Sequence, residues 1–273
     1  EYESCLKQVG KARGGGRTGV EWDLAKASAQ LALGLYKPAM EEMGGGLLRH
    51  HFSLRAKWIS HDIYLRNGEL EKSHAQLDRI YRLGGNFHIN FWDPPELVAL
   101  GRTLLKLGAE PKVVLENFFD KALETDPNCL DAYVASGELA LLKEDYGLAR
   151  NQFKKGLRRF PDAPGLLLGM AQAHFHGDRR HMLGLLERVL AINPRLAEAR
   201  LLLAEHLVDS EQFGIAAQEA DTVLETNPRN ERAWATFALL AELRHDADAA
   251  LQLRGIALQD WPKNPAVDHF LGR

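Results

Sequence analysis

Five prolines recur at nearly constant spacing in the second half of the 273-residue chain. They are Pro127, Pro161, Pro194, Pro228 and Pro262, separated by 34, 33, 34 and 34 residues. A residue that precedes a proline avoids the α region, so each of these positions predicts the end of a helix. A fixed period of this length is typical of a chain built from stacked repeats, each of which needs its neighbours to bury its apolar face.

Between successive prolines the apolar residues follow a period of 3.6, which predicts helices rather than strands. In the segment 129–160 the residues at 144–147 interrupt this pattern, so the segment contains two amphipathic helices. The short connection predicts that the two helices run antiparallel. The first apolar stripe comprises Leu130, Tyr133, Val134, Gly137, Ala140 and Leu141, and the second comprises Leu148, Ala149, Phe153, Gly156 and Leu157.

Small residues recur where the two helices of each repeat would cross. If the third residue after each proline is position 1, position 8 holds Gly137, Ala171, Ala204 and Ala238. Position 20 holds Ala149, Ala216 and Ala250, whereas the repeat that is one residue shorter has Met182 there. Small side chains at both positions let the two backbones approach closely.

This pattern resembles the tetratricopeptide repeat family, which has small residues at positions 8 and 20 and a proline at position 32. The resemblance covers Pro94 to Arg273; it is weaker at position 11, where Ala140, His174, Leu207 and Ala241 replace the usual tyrosine. It implies an all-α fold, a right-handed superhelical solenoid of antiparallel helix pairs. It also implies a non-enzymatic scaffold for protein interactions, without a cofactor.

The chain divides into two parts that we expect to form one continuous solenoid of about seven repeats. Residues 1–93 are the divergent part, with two repeats in 20–90 and a mid-repeat turn at 67–72. Residues 94–273 carry the regular repeats, and the last one is truncated at Arg273. Because solenoid ends normally need a polar cap, this ending suggests a fragment of a longer protein, or a partner over the last pair.

Charge and composition disfavour several classes of partner. The chain has 34 Lys and Arg against 37 Asp and Glu, a net charge of -3, which argues against nucleic acid and anionic membranes as partners. The longest run without Asp, Glu, Lys or Arg, 163–177, is too short to span a bilayer. Cys5 and Cys129 form no CxxC motif and do not indicate a compartment.

The motifs that could carry chemistry are weak. Residues 14–19 satisfy G-x-G-x-x-G, but no strand precedes them, so a linker is favoured over a phosphate site; Gly44–Gly46 is interpreted as a turn. No H-E-x-x-H occurs, and His174 at position 11 is better explained as a packed core histidine than as a metal ligand. The basic residues within 154–159 are interpreted as a solvated convex face. We expect no catalytic residues and no metal site.

The family resemblance implies that positions 2, 5, 9, 12 and 13 of the first helices line a concave groove. Matched onto this sequence, they are Asp131, Val134, Glu138, Leu141 and Leu142; Gly165, Leu168, Gln172, Phe175 and His176; Glu198, Leu201, Glu205, Val208 and Asp209; and Arg232, Ala235, Leu239, Glu242 and Leu243. We expect fourteen of these residues to contact the partner. They are Val134, Glu138, Leu141, Leu142, Leu168, Gln172, Phe175, His176, Leu201, Glu205, Val208, Asp209, Leu239 and Leu243.

Such a groove would be apolar with an acidic rim. Of the Lys, Arg and Asn residues with which some family members clamp a carboxylate, only Arg232 is present, so no such clamp is expected. The composition favours a protein or peptide ligand with apolar anchors and some basic residues. Three alternatives remain: a rigid spacer, an accessory region of a larger enzyme such as a bacterial zinc peptidase, and, least favoured, an RNA binder.

Overall fold

The computed structural model describes residues 6–8, 19–45, 49–85 and 93–259, together with residues 264, 267 and 271. Within this part of the chain every regular element is helical, so the predicted all-α class is confirmed. From residue 19 onward the helices are α1 (Val20–Ala32), α2 (Tyr36–Gly45), α3 (Leu54–Arg66), α4 (Leu70–Gly84), α5 (Pro94–Lys106), α6 (the consecutive stretches Pro111–Val114, π-helical Leu115–Asp120 and Lys121–Thr125), α7 (Leu130–Leu142), α8 (Tyr146–Leu157), α9 (Pro164–His174), α10 (Arg179–Ile192), α11 (Ala197–Asp209), α12 (Phe213–Thr226), α13 (Glu231–Leu243) and α14 (Ala247–Ala257).

These helices pair in chain order into seven hairpins within the described residues, α1 with α2 through α13 with α14. The first helix of each hairpin also packs against the first helix of the next hairpin. This arrangement confirms the expected solenoid of stacked helix pairs. The proline-containing connections join one hairpin to the next.

The turn inside three of the regular hairpins explains why the first helix stops and the second begins. Glu144, Glu211 and His245 adopt positive φ values of 57°, 59° and 60°, the left-handed conformation that commonly ends a helix. In two of these turns an aspartate follows and caps the next helix: Asp145 accepts a hydrogen bond from Leu148 N, and Asp246 accepts one from Ala249 N. Of the interruption expected at 144–147, Glu144 and Asp145 form the turn, whereas Tyr146 and Gly147 already belong to α8.

Glycines at the helix crossings admit a bulky aromatic side chain between neighbouring hairpins. Phe153 of α8 is fully buried, and a Cβ on Gly137 of α7 or Gly169 of α9 would lie 2.3 or 2.2 Å from its ring. The ring therefore fills the space that two absent side chains leave. Ala149 and Ala171, at the same crossings, are also fully buried.

Several sequence interpretations fall partly outside the described residues. Of the glycine-rich motif at 14–19, Gly19 alone lies inside, as the residue before α1. Most of the truncated repeat after Pro262, and Cys5, also lie outside. The interpretation of Gly44–Gly46 as a turn needs correction, because α2 continues through Gly45; Gly46 is outside the described residues.

We expect Gly137→Ala to lower the free energy of unfolding by about 1–3 kcal/mol, because the new methyl group would overlap the Phe153 ring. Gly184→Ala is the matched control: Gly184 lies in α10, is exposed, and has no atom within 4 Å of a built Cβ. Helix propensity should make that variant more stable by about 0.5–1 kcal/mol. Urea denaturation followed by circular dichroism measures both, and equal effects would contradict this packing.

Candidate partner-binding groove

The first helices of the hairpins, α1, α3, α5, α7, α9, α11 and α13, are those expected to line the groove. Each packs on the next, so the side chains on their inner faces share one surface. The residues that the repeat register assigns to the groove all lie on α7, α9, α11 and α13 or on the residues that directly follow them. The facing helices α1, α3 and α5 come from segments where the repeat pattern is degenerate or blurred.

The carboxylates expected to form an acidic rim are paired with arginines of the same chain. Five of them lie within 4 Å of a guanidinium nitrogen. The pairs are Asp131–Arg55 (3.6 Å), Glu138–Arg102 (2.6 Å), Glu198–Arg66 (2.6 Å), Glu205–Arg232 (3.5 Å) and Asp209–Arg179 (2.7 Å). Three of these arginines, from α3 and α5, could not be assigned as partners from the repeat pattern. The groove is therefore much closer to neutral than its first-helix positions alone indicate.

The pair of Arg66 and Glu198 joins the end of α3 to the beginning of α11. Burial alone would raise the pKa of Glu198, but the charge and hydrogen bond of Arg66, a backbone hydrogen bond and the charge of Arg232 together lower the pKa. The same pairing raises the pKa of Arg66, so both groups stay charged. Burial raises the pKa of the neighbouring Tyr36 hydroxyl and lowers that of Arg232.

The N-terminal hairpins cover the groove where α11 and α13 begin. The Asn193 side-chain amide donates to the Ala32 carbonyl at 2.5 Å, and Arg229 donates to the Asn67 carbonyl at 2.9 Å. Together with the Arg66–Glu198 pair, these contacts join residues more than a hundred positions apart. We call these three contacts the clasp. A cavity of about 250 Å³ lies beside it, lined in part by Asp62, Arg66, Glu198, Arg232 and Trp234.

A second cavity, of about 320 Å³, lies between α3, α5 and α7. Arg55, Trp58, Arg102, Asp131 and Glu138 are among its lining residues. The Arg102 guanidinium also lies 5.7 Å from the centre of the Trp58 ring, a cation–π distance. Because its charged groups pair with one another, this cavity presents satisfied ion pairs rather than an open acidic surface.

Large side chains are exposed at the ends of several first helices. Leu142 at the end of α7 is 71% exposed, and Leu243 at the end of α13 is 45% exposed. His176 is also exposed, with its ring 5.5 Å from that of Tyr146. We call Leu142, His176 and Leu243 the open end of the groove.

Phe175, expected to be an apolar anchor, is 4% exposed and packs in the core. The guanidinium of Arg179 lies 4.3 Å from the centre of its ring, and the ring of His176 meets it edge-on at 5.0 Å. In this arrangement Phe175 packs against Arg179 and His176 and is too buried to contact a ligand directly.

The other expected groove residues are less accessible than Leu142. Leu201 and Glu205 are buried. Those that are partly buried are Val134, Leu141, Leu168, Gln172, Val208 and Leu239. Their apolar atoms largely serve packing between neighbouring first helices.

A further feature of the described residues is the placement of the groups that could bind a metal ion or act as a nucleophile. There, no three His, Cys, Asp or Glu side chains are grouped to hold a metal ion. The rings of His174 and His181 lie 4.6 Å apart, and burial followed by the charge of His181 lowers the pKa of His174. Burial raises the pKa of the Cys129 thiol to about 11.

Two further sequence expectations concern the surface. Lys154, Lys155, Arg158 and Arg159 are exposed, with Arg159 donating to the Asn128 side chain at 2.9 Å. In the part of the chain that the structure describes, the helices are too short or too polar to cross a bilayer.

A buried histidine fixes α3, which carries Arg55 and Arg66, onto α4. His61 is 4% exposed, and its Nδ1 lies 2.6 Å from Ser73 Oγ. Ser73 Oγ also lies 3.1 Å from the His61 carbonyl, which accepts its hydrogen bond in that geometry. Burial lowers the pKa of His61, so the ring is neutral in the folded protein at neutral pH.

This burial predicts a loss of stability in mild acid. Because the folded-state pKa lies below the unfolded value of about 6.5, the contribution is complete above that value and declines as pH falls through it towards the folded pKa. His61→Gln should reduce the fall in unfolding free energy between neutral and mildly acidic pH. The exposed His245→Gln is the control, and urea titrations at both pH values test the difference. Parallel curves for wild type and His61→Gln would contradict it.

The chain has recognisable relatives. A family model described as tetratricopeptide repeat matches residues 183–243. The mitochondrial import receptor subunit TOM70 of Homo sapiens is 28% identical over 153 residues, 52% of this chain. The match spans about a quarter, 25%, of the human protein's length.

Solved structures share the solenoid fold. A tetratricopeptide repeat protein from Parabacteroides merdae superposes with a TM-score of 0.59 at 15% identity, covering 99% of this chain and 97% of that protein. A chain of the APC/C hetero-tetramer Cut9–Hcn1 gives a TM-score of 0.68 at 12% identity, covering 100% of this chain and 52% of that one. At such identities the likeness concerns the fold alone.

Proposed function

We propose that this chain, a tetratricopeptide repeat protein, is an interaction scaffold that binds an extended segment of a protein partner at the open end of its concave groove. Proteins of this repeat family generally mediate protein–protein interactions, and the fold is typically a non-catalytic scaffold. The observation that carries the finer proposal is the exposure of Leu142 and Leu243 at the ends of first helices. Contiguous exposed apolar patches mark interaction sites whereas scattered apolar side chains are normal, so the proposal requires that both leucines face the same groove.

The chemistry of the open end indicates what the partner segment offers. Burying a leucine side chain contributes about 1.5–3 kcal/mol, so Leu142 and Leu243 are the main anchors. The groove carboxylates Glu138, Glu205 and Asp209 already face arginines, which reduces the share of basic residues in recognition. We therefore propose a segment whose apolar side chains lead the binding, with charge in a secondary role.

The wider context of the chain supports binding rather than catalysis. The human relative is named as a receptor subunit, and we extend that receptor character alone to this chain. We take residues 1–93 and 94–273 as one continuous solenoid that needs neither a cofactor nor nucleic acid. The remaining groove residues, among them Leu168 and Gln172, would shape the surface beneath the ligand.

Peptides selected from a phage-displayed library of random short sequences on the full chain provide the probe. We expect Leu142→Glu with Leu243→Glu to weaken binding of such a peptide at least tenfold, about 1.4 kcal/mol, because both anchors become charged. Fluorescence anisotropy of the labelled peptide measures the dissociation constant.

The control places the same charges on the second helices. Ile215 of α12 and Leu251 of α14 are 48% and 73% exposed, so Ile215→Glu with Leu251→Glu matches the first variant in charge and accessibility. We expect that control to change the dissociation constant less than about twofold. If both double variants bound equally well, the ligand would not use the open end.

A further inference from the structure

The clasp departs from the rule that governs a solenoid. In a repeat array each unit contacts its immediate neighbours, and the overall shape follows from small rotations added along the chain. Here the end of α1 and the end of α3 reach residues that precede or begin α11 and α13. These contacts fix the curvature of the whole array, because they join its first two hairpins to its last two described hairpins.

The contacts across the clasp are polar. Leu24, Met43 and Ile63 belong to a hydrophobic cluster confined to α1, α2 and α3. Leu201 and Val223 belong to a separate cluster of α11, α12 and α13. No buried apolar cluster among the described residues includes members from both groups. Opening the clasp would therefore expose little apolar core, whereas separating adjacent hairpins would expose much.

A glycine allows the two surfaces to meet. Gly34 follows α1 with a φ of +71°, and a Cβ there would lie 2.0 Å from Thr226 Cγ2 at the end of α12. The tight turn thus brings backbone against the second surface, next to the bond between Asn193 and Ala32. The turn conformation and the close approach both require a residue without a side chain.

We propose that the clasp is a gate: the solenoid has a closed form, held by the Arg66–Glu198 pair and its two neighbouring hydrogen bonds, and an open form in which the first two hairpins swing away from α11 and α13. In the closed form the gate covers the beginnings of α11 and α13 on the inner face. Opening would extend the groove to the inner surface around Glu198 and Arg232. This last consequence rests on the proposed function, whereas the gate itself does not.

Distance measurements between spin labels test the gate in the full chain. The labels are attached to Glu71→Cys on α4 and Asp221→Cys on α12, both exposed positions, with Cys5 and Cys129 replaced by serine. We expect Arg66→Glu to shift the distance distribution to longer values by more than about 5 Å, one helical turn, because two carboxylates then face each other. Arg66→Glu with Glu198→Arg should restore the wild-type distribution.

A second ion pair provides the matched control. Arg188 of α10 and Asp162, which precedes α9, lie 3.2 Å apart, and neither belongs to the clasp. Arg188→Glu should leave the distance distribution unchanged although it also opposes two carboxylates. A shift of equal size in this control would overturn the proposal, since the effect would then be general loosening.

Salt provides a measurement that needs no clasp variant. Raising NaCl from about 0.05 M to about 1 M screens the partly exposed Arg66–Glu198 pair, so the wild-type distribution should broaden towards longer distances. A salt-independent distribution, with Arg66→Glu either unshifted or unable to fold, would overturn the gate. Peptide binding at Leu142 and Leu243 is measured in a separate experiment, so either the gate or the binding site can be refuted without the other.

Discussion

The close approach of successive hairpins at small residues is the constraint on which the solenoid depends. Phe153 reaches full burial because neither Gly137 nor Gly169 carries a Cβ. A single hairpin has no second layer against which to bury that ring, so each hairpin is stabilised mainly by those beside it. The regular proline spacing gives the hairpins nearly equal lengths. The helix crossings and the turns between helices therefore recur at the same positions in each repeat.

The polar groups of the inner face follow from the same stacking. Curving the array brings first helices from distant repeats to face one another, so charges that are far apart in sequence become neighbours. Arg66 thereby meets Glu198, and its charge and hydrogen bond, together with a backbone hydrogen bond and the charge of Arg232, lower the pKa of the carboxyl despite burial. Because the cost of burying the charges offsets much of their attraction, these pairs shape the charge of the groove more than they stabilise the fold. The effect on recognition is larger, because an already paired carboxylate attracts a basic ligand weakly.

The repeat period made most of the architecture predictable, because each local signal was reinforced at the same offset in the next repeat. The helix pairs, the turn at Glu144 and the buried small residues at the crossings all follow from periodicity and turn chemistry. The end of α2 at Gly45 did not follow, since a glycine run is compatible with either a turn or a helix terminus.

The groove was less predictable than the fold. Its lining positions follow from the register, but their exposure depends on which other helices face them. Phe175 lies under Arg179, a residue of the next helix, and Asp131 pairs with Arg55, a residue of the divergent part. Neither contact recurs at the same position in successive repeats, so the repeat pattern could not predict it. The sequence therefore indicated an acidic rim where the structure has internal ion pairs.

The two ends of the groove therefore differ in the type of interaction that they offer a ligand. At the beginnings of α11 and α13, hydrogen bonds and an ion pair from the first two hairpins meet the inner face, and these interactions exchange readily with water. At the ends of α7 and α13, Leu142 and Leu243 expose apolar surface, whose burial is favourable and insensitive to the charge of the surroundings. A ligand anchored through the leucines gains free energy without opening the clasp, whereas a ligand reaching Glu198 must replace polar contacts of equal quality. Extension from one end to the other is favourable when the longer segment carries polar groups that match those it displaces.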